Sequence, residues 1–281
     1  MILPIRQDLH FDFSKRTYVM GVLNVTPDSF SDGGVNLSPG MAVERALQMV
    51  EEGVDIIDIG GESTRPGAEP LTASDELNRV IPVIKALRRQ SSVPISIDTY
   101  KASVALCALD EGADIVNDIS GLRMDPNMAG AAASRGAAVV LMHMRGTPQD
   151  MQKDLQYEAL IPEVLEHLRE SIRMAEDAGI APDRIMVDPG IGFGKSYDQN
   201  LEILKNLEIF QGLGKPVLAG VSRKAFIGKI LGGAPPSERL EGTLAAVAIA
   251  VLNGAGIVRV HDVKEAVKAV KVADAINRER I

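Results

Sequence analysis

The groups best able to do chemistry in this chain stand directly after short, apolar, β-branched runs. They are Asn24; Gly60-Gly61-Glu62-Ser63-Thr64-Arg65-Pro66; Asp98-Thr99; Asn117-Asp118; His143; Asp188; Ser222-Arg223-Lys224; and Arg259 with His261. They divide into two chemical sets. Asp98, Asn117, Asp188 and Lys224 suit a flat heterocycle edged with N–H, amino and carbonyl groups, because a carboxylate accepts two parallel hydrogen bonds and an amide offers mixed polarity. Asn24, Arg259 and His261 suit an anion, and the Asn24 amide oxygen can also ligate a hard cation such as Mg2+. Each residue alone has a plainer reading. A lone Asp at a strand end more often caps a helix, and a single His such as His143 is more often a structural residue. Their recurrence at every strand end is what favours one shared site.

Two segments sharpen this. Residues 18–34 read YVMGVLNVTPDSFSDGG, an apolar run that turns at Asn24 into a polar loop carrying Thr26, Asp28, Ser29 and Asp32. Pro27 lacks an amide donor and the Gly33-Gly34 pair loosens the backbone, so the strand cannot continue. In Asp188-Pro-Gly-Ile-Gly-Phe-Gly-Lys195 the glycines permit close backbone approach, and Phe193 can cover a planar ring. This is not a P-loop, since the spacing and the residues after Gly-Lys are wrong. Ser222-Arg223-Lys224 opens a helical stretch whose free amides attract a carboxylate or phosphate.

The elements that must position these groups alternate along the chain. Strand-like runs cover Tyr18–Val25, Asp55–Ile59, Pro94–Ile97, Ile115–Asn117, Ala137–Met142, Ile185–Val187, Pro216–Val221 and Gly256–Val260. Helical patterns lie between them, as at Pro39–Glu52, Ser74–Gln90, Leu155–Ala178 and Leu240–Gly254, and several close on Gly before the next strand. Strict alternation over this length predicts an α/β fold, a (β/α)8 TIM barrel forming a single domain over 1–281, with 1–16 as an extension or hairpin before the first strand. An open doubly wound sheet would place one Gly-rich loop after an early strand; here polar groups follow every strand.

Composition narrows the function classes. The 281 residues are 46% apolar, lack Trp and carry a formal charge of −8 without a basic block, which argues against nucleic acid. The one cysteine, Cys107, excludes an internal disulfide and a cysteine-based zinc site, and within a helical stretch it reads as a small buried residue. No signal-peptide pattern stands at the N-terminus, and no apolar run reaches the ~18 residues of a membrane span. A cytoplasmic protein without a membrane partner is expected.

The stretches LNVTPDSFSDGG, GGESTRPGA, ISIDTYK, IVNDISG, MHMRGTPQDMQ, DPGIGFGK, GVSRKAFIG and RVHDV follow one another from residue 23 to residue 263. Together they resemble the bacterial-type dihydropteroate synthase family of pterin-binding barrels. The resemblance implies condensation of 6-hydroxymethyl-7,8-dihydropterin diphosphate with p-aminobenzoate, giving 7,8-dihydropteroate and pyrophosphate for folate synthesis. It implies that Asp98, Asn117, Asp188, Lys224 and Met142 bind pterin, and that Asn24, Arg259 and His261 hold the diphosphate with Mg2+ as cofactor and Asn24 as its ligand. Thr64, Arg65, Pro66, Phe193 and Lys224 would shape the p-aminobenzoate site. Asp32, Asp188, Lys224, Arg259 and His261 would carry catalysis, by a dissociative (SN1-like) route. Leu240–Gly254, apolar on more than one face, reads plainly as a core helix; the family is dimeric, so the resemblance favours a homodimer interface there, and it implies that sulfonamides inhibit.

Two other readings fit less well. A methyltetrahydrofolate-corrinoid methyltransferase shares the barrel and the Asp/Asn pattern but leaves the Asn24 loop and the Arg259/His261 pair without an anion to bind. A catalytically silent pterin-binding barrel would tolerate losses in TPDSFSDGG and STRPG, and both stand intact.

Overall fold

The architecture was obtained as a computed structural model that describes residues 1–26, 38–65 and 67–278. The chain opens with an antiparallel hairpin, β1 (Ile2–Arg6) and β2 (Leu9–Asp12). Eight parallel strands follow: β3 (Tyr18–Asn24), β4 (Ile56–Gly60), β5 (Ile95–Asp98), β6 (Ile115–Asp118), β7 (Ala138–Met142), β8 (Ile185–Asp188), β9 (Leu218–Ala219) and β10 (Ile257–Val260). Helices alternate with them: α1 (Pro39–Glu51), α2 (Ala73–Arg88), α3 (Ala102–Asp110), α4 (Met128–Ser134), α5 (Leu160–Asp177), α6 (Tyr197–Lys205), α7 (Ala225–Ile230), α8 (Leu240–Leu252) and α9 (Val263–Arg278). The sheet runs β8-β7-β6-β5-β4-β3-β10-β9. The barrel closes where Val187 pairs with Val217 and the Val187 N–H donates to Pro216 O at 3.0 Å.

Each strand is buried on both faces and sorts its side chains by the two-residue period of the pleat. In β4, Ile57 and Ile59 join the layer between sheet and helices, whereas Ile56 joins a second cluster inside the barrel. The same alternation sends Met20, Ile115, Val140, Met186, Leu218 and Ile257 inward. The hairpin plugs this interior from below, adding Leu3, Ile5 and Phe11 to the cluster. Higher up the same inward rows, at the strand ends or within two residues of them, the residues turn polar: Asn24, Asp58, Asp98, Asn117, Asp188 and Arg259 line the opposite, C-terminal rim. Close approach on the outer face explains Gly21, where an added Cβ would lie 3.0 Å from Met49 Sδ and from two valine methyls.

Three local expectations are corrected. The seventh barrel strand shrinks to Leu218–Ala219, because the residues after it turn into the Ser222-Arg223 loop, where Arg223 has φ +57°. α5 begins at Leu160 rather than Leu155; residues 155–159 form a connector in which the Ala159 N–H bonds the Glu163 carboxylate. Cys107 is exposed, since α3 buries the stripe through Ala102, Val104, Ala105 and Ala108 and turns position 107 outward. No helix among the described residues is long and apolar enough to cross a membrane.

Leu3 is fully buried in the lower plug, far from the polar rim. Leu3→Ala is expected to lose about 2–5 kcal/mol of stability through the cavity it leaves. Urea unfolding measures that loss, and KM for any ligand of the upper rim should stay unchanged.

Candidate functional site

The polar rim is organised around Arg259, on the penultimate position of β10. Its Nε donates to Asp58 Oδ2 at 2.6 Å and its Nη2 donates to Asp98 Oδ2 at 2.7 Å. The Asn117 amide donates to the same Asp58 oxygen at 3.2 Å. Asp58 is fully buried, and among the described residues its Oδ1, like Asp98 Oδ1, has no hydrogen-bond partner. A buried acceptor left unsatisfied costs about 1–3 kcal/mol, so both oxygens are primed for donors from a ligand. Burial pushes the Asp98 carboxyl up to about 7; Arg259 opposes the rise, and the nearby Asp58 adds to it. The two carboxylates in turn hold the Arg259 guanidinium firmly in its charged form despite burial.

The opposite wall is built by β8 and the loop after it. Asp188 is buried and its Oδ1 accepts the Gly190 N–H at 2.7 Å, while burial raises its pKa against that bond and against Lys224. Gly190 has φ +74° and its Cα packs so tightly that an added Cβ would lie 1.9 Å from the His143 carbonyl oxygen. Gly192, at φ +88°, likewise lies under Lys224, whose Cδ would be 2.8 Å from a Cβ there. Lys224 Nζ sits 4.2 Å from the centroid of the Phe193 ring, a cation–π contact. Burial lowers Lys224 to about 8, with Asp188 resisting the fall and Arg259 adding to it. Met142, at the end of β7, is buried in a sulfur-rich cluster with Ile119, Met144 and Met151, against which Tyr100 and Phe193 pack.

On the anion side, the His261 Nδ1 lies 3.0 Å from Ser222 Oγ, and the His261 N–H donates to that same hydroxyl oxygen at 3.2 Å. Ser222 Oγ thus holds both the backbone amide and the ring of His261, with the tautomer of the ring setting which of Oγ and Nδ1 donates. Burial and the neighbouring Arg259 and Arg223 cations pull His261 down to about 3, so the ring is neutral at physiological pH. The Asn24 amide makes no hydrogen bond among the described residues; its Oδ1 and the Asp98 carboxylate flank Gly60, at 3.8 and 3.6 Å from a Cβ built there. No cluster of three or more His, Cys, Asp or Glu side chains suited to a metal exists among the described residues.

The loop after β4 is anchored from beneath. Tyr100 donates to Glu62 Oε1 at 2.5 Å, and Lys101 pairs with both Glu62 and Glu76, the latter at 2.6 Å. Farther along, the Gly67 N–H donates to Pro148 O at 3.0 Å, tying this loop to the one after β7. Thr64 is half-buried and Arg65 exposed. Among the described residues neither side chain bonds to the Asp58–Asp98 cluster. Asp32 and Pro66 lie outside the described residues. The chain thus brings together Asn24, Asp98, Asn117 and Arg259 on one side, and Asp188, Phe193 and Lys224 on the other, with Met142 below Phe193 and His261 beside Ser222. Asp118 serves the fold instead, its carboxylate accepting from Ser120 and Leu122.

Residues 20–261 match the pterin binding enzyme family. The dihydropteroate synthase of Synechocystis sp. is 51% identical over 276 residues, covering 98% of this chain and 95% of the relative. That of Bacillus subtilis is 50% identical over 264 residues, covering 94% and 90%. The Yersinia pestis dihydropteroate synthase, solved in complex with a sulfonamide drug, superposes with a TM-score of 0.94 at 42% identity, over 99% of this chain and 100% of that one. The Xanthomonas albilineans enzyme in complex with 7,8-dihydropteroate gives 0.87 at 41% identity, over 98% of each chain. The chain belongs to the dihydropteroate synthase family. It is a transferase of folate biosynthesis, built as that family's TIM barrel.

For a dihydropteroate synthase the residue most conspicuously absent from the reading of the sequence is Asp58. The signal was present: a lone carboxylate inside the apolar run of β4 must be paired when buried. Its inward register opposite Ser96 of β5 marks the level at which the barrel interior turns polar. Asp58→Asn is expected to lower kcat/KM for the pterin substrate by at least about tenfold, since Arg259 loses one of two carboxylates. Removing a like charge also lowers the Asp98 pKa. Binding that needs ionised Asp98 therefore weakens as pH falls through about 7 in the wild type and at lower pH in the variant. Steady-state kinetics read the first, and calorimetric titration with 6-hydroxymethylpterin from pH 5 to 8 reads the second.

Proposed function

We propose that the barrel rim carries out the synthase reaction by a dissociative route, with each wall stabilising one fragment of the substrate. The dihydropterin ring would lie between the Asp98/Asn117 side and the Asp188/Lys224 side, its N–H and amino edges donating to the unpaired carboxylate oxygens. The single observation that supports this is the Asp98 Oδ1, buried beside Asn117 with no partner among the described residues. The bond between the exocyclic methylene carbon and the diphosphate oxygen breaks, and pyrophosphate leaves with the electron pair. The remaining cation is delocalised into the electron-rich ring, and Asp188 stabilises it electrostatically. The p-aminobenzoate nitrogen then attacks the methylene carbon, forming the C–N bond, and the resulting ammonium gives up a proton to solvent.

The leaving group would meet Arg259 and His261. A neutral His261 would contribute a ring N–H hydrogen bond rather than a positive charge, so Arg259 supplies the fixed cation. The Asn24 amide carbonyl, without a hydrogen bond among the described residues, suits Mg2+, a cation that keeps most of its ligands as water and substrate phosphate oxygens and takes few from protein. Bound there, Mg2+ would neutralise charge developing on the pyrophosphate. Phe193 and the Lys224 ammonium would flank p-aminobenzoate, with Thr64, Arg65 and Pro66 completing its site, and sulfonamides would compete there. Asp32 is assigned to cation stabilisation from the loop after β3. A cytoplasmic location goes with this reading, supported by the exposed thiol of Cys107, which suits a reducing compartment.

Incubation with the pterin diphosphate and labelled p-aminobenzoate, with and without Mg2+, tests the reaction; labelled dihydropteroate forming only with the metal is the expected result. Asp32→Ala should lower kcat far more than pterin affinity, and an unchanged kcat removes Asp32 from the mechanism. Lys224→Ala should weaken both substrates by roughly tenfold or more, a loss of about 1.4 kcal/mol each; calorimetry reads it.

A homodimer belongs to the same proposal. An apolar groove of about 430 Å³ lies between α8 and α9, lined in part by Leu244, Ala248, Leu252, Val272 and Ile276. Val272 and Ile276 in the groove and Ile249 elsewhere on α8 are each 45% or more exposed, more apolar surface than a solvated helix pair needs. Sedimentation should give a dimer for the wild type and a monomer for Val272→Glu.

A further inference from the structure

Lys195 closes the DPGIGFGK stretch and takes no part in the reaction outlined above, yet only 3% of it is exposed. A buried lysine almost always faces a carboxylate. Lys195 does not: among the described residues no carboxylate lies within ion-pair distance, and its partners are neutral. Its Nζ lies 2.9 Å from His143 Nδ1, donates to Phe193 O at 2.9 Å and reaches His143 O at 3.4 Å. Three donors thus meet three acceptors on two different segments, the end of β7 and the loop after β8. The His143 carbonyl that Lys195 caps is the one against which Gly190 is pressed. Gly190 in turn donates to Asp188. The Phe193 carbonyl that Lys195 holds belongs to the residue whose ring lies over Lys224.

We propose that Lys195 is a positioning residue for the synthase reaction, fixing the Phe193 ring against Lys224 at one end of the loop and Asp188 at the other. The proposal rests on the functional reading above for the identity of the ligands, while its geometry is that of this chain's own residues. Lys195 touches neither the ring site nor the reacting atoms. It acts through Phe193, which forms one face of the p-aminobenzoate site, and through Gly190, which orients the carboxylate of Asp188. Its charge adds a second effect on the acidic side, since burial lowers Lys195 to about 7 and it is fully a cation only below that. The groups facing it are Asp188, Lys224 and Arg145 as charges, with the rings of His143 and, 4.6 Å beyond in edge-to-face contact, His167. Of these only Asp188 is an anion, so the Lys195 cation favours ionised Asp188. The Lys195 cation also disfavours a proton on His143, whose pKa burial already drives far down. A neutral His143 with a bare Nδ1 is the state that accepts the Lys195 hydrogen bond.

Lys195→Met keeps the length and apolar stem while removing the donors and charge. The expected result is at least a tenfold rise in KM for p-aminobenzoate, with KM for the pterin diphosphate within about threefold of wild type. The acidic limb of kcat/KM should move to higher pH, because Asp188 loses a cation that keeps it ionised. A purely structural lysine would weaken both substrates together and leave the limb in place, and that result overturns the proposal, as does a variant indistinguishable from wild type. Should Lys195→Met not fold, the ring-nitrogen signals of His143 in wild-type protein decide. Adding p-aminobenzoate to protein holding 6-hydroxymethylpterin and pyrophosphate should shift them, through Phe193 and Lys195; unmoved signals overturn the proposal. Wild-type product formation, measured alongside, reports on the synthase reading separately: its absence counts against that reading, and the His143 tautomer still reports whether Lys195 holds the ring.

Discussion

Arg259 bridging Asp58 and Asp98 is the interaction on which the rest of the site depends. The two carboxylates come from neighbouring strands, β4 and β5, and the guanidinium from β10, with β3 lying between. The bridge therefore crosses the inside of the barrel and forms only because the sheet curves back on itself. Two buried carboxylates this close would repel, and one would be driven neutral, without a shared cation. Arginine meets the requirement where lysine would not, since its planar fork can send Nε to one carboxylate and Nη2 to the other. Removing one partner from such a buried set is severe, about 3–5 kcal/mol, because the charge left behind has neither water nor a counterion.

The pKa directions follow one pattern. Asp98 and Asp188 are raised, while Lys224 and Lys195 are lowered, to about 8 and about 7. In every case burial is the largest cause and an opposite charge only partly offsets it. The rim is thus a balanced set of charges held just short of full mutual satisfaction. A flat ligand that donates to one wall and accepts from the other supplies what the protein withholds from itself. An anion leaving beside Arg259 then departs from a ring held between carboxylates, the electrostatic arrangement that favours separation of negative pyrophosphate from a positive methylene.

The barrel and most rim residues were legible because they follow from simple rules. Apolar runs of strand length, helices closed by glycine, and a polar residue after each run together admit few folds, and the strand ends named Asn24, Asp98, Asn117, Asp188 and Arg259 directly. What stayed hidden was set by neighbours in space. Asp58 sits inside a strand, and only the inward register beside Arg259 reveals its role. His261 was named as a partner for an anion, but only its burial near two arginines shows that the ring is neutral. Lys195 looked like the tail of a glycine-rich loop until its burial and its three neutral partners were on view. Cys107 was misjudged because composition cannot say which face of a short helix is turned to solvent.

The apolar floor and the charged rim are parts of one device. The same inward rows carry Ile56 below Asp58 and Met186 below Asp188, so the change from oil to charge occurs within one pleat repeat. The hairpin residues Leu3, Ile5 and Phe11 seal the lower end, which keeps water from reaching the carboxylates from beneath. Interactions between the rim charges then act through protein rather than solvent, where a Coulomb term at a given distance is about fourfold larger at an effective dielectric of 20 than in water. The strength of the Arg259 bridge, and the displaced pKa values around it, are therefore set as much by the dry plug below as by the residues that touch.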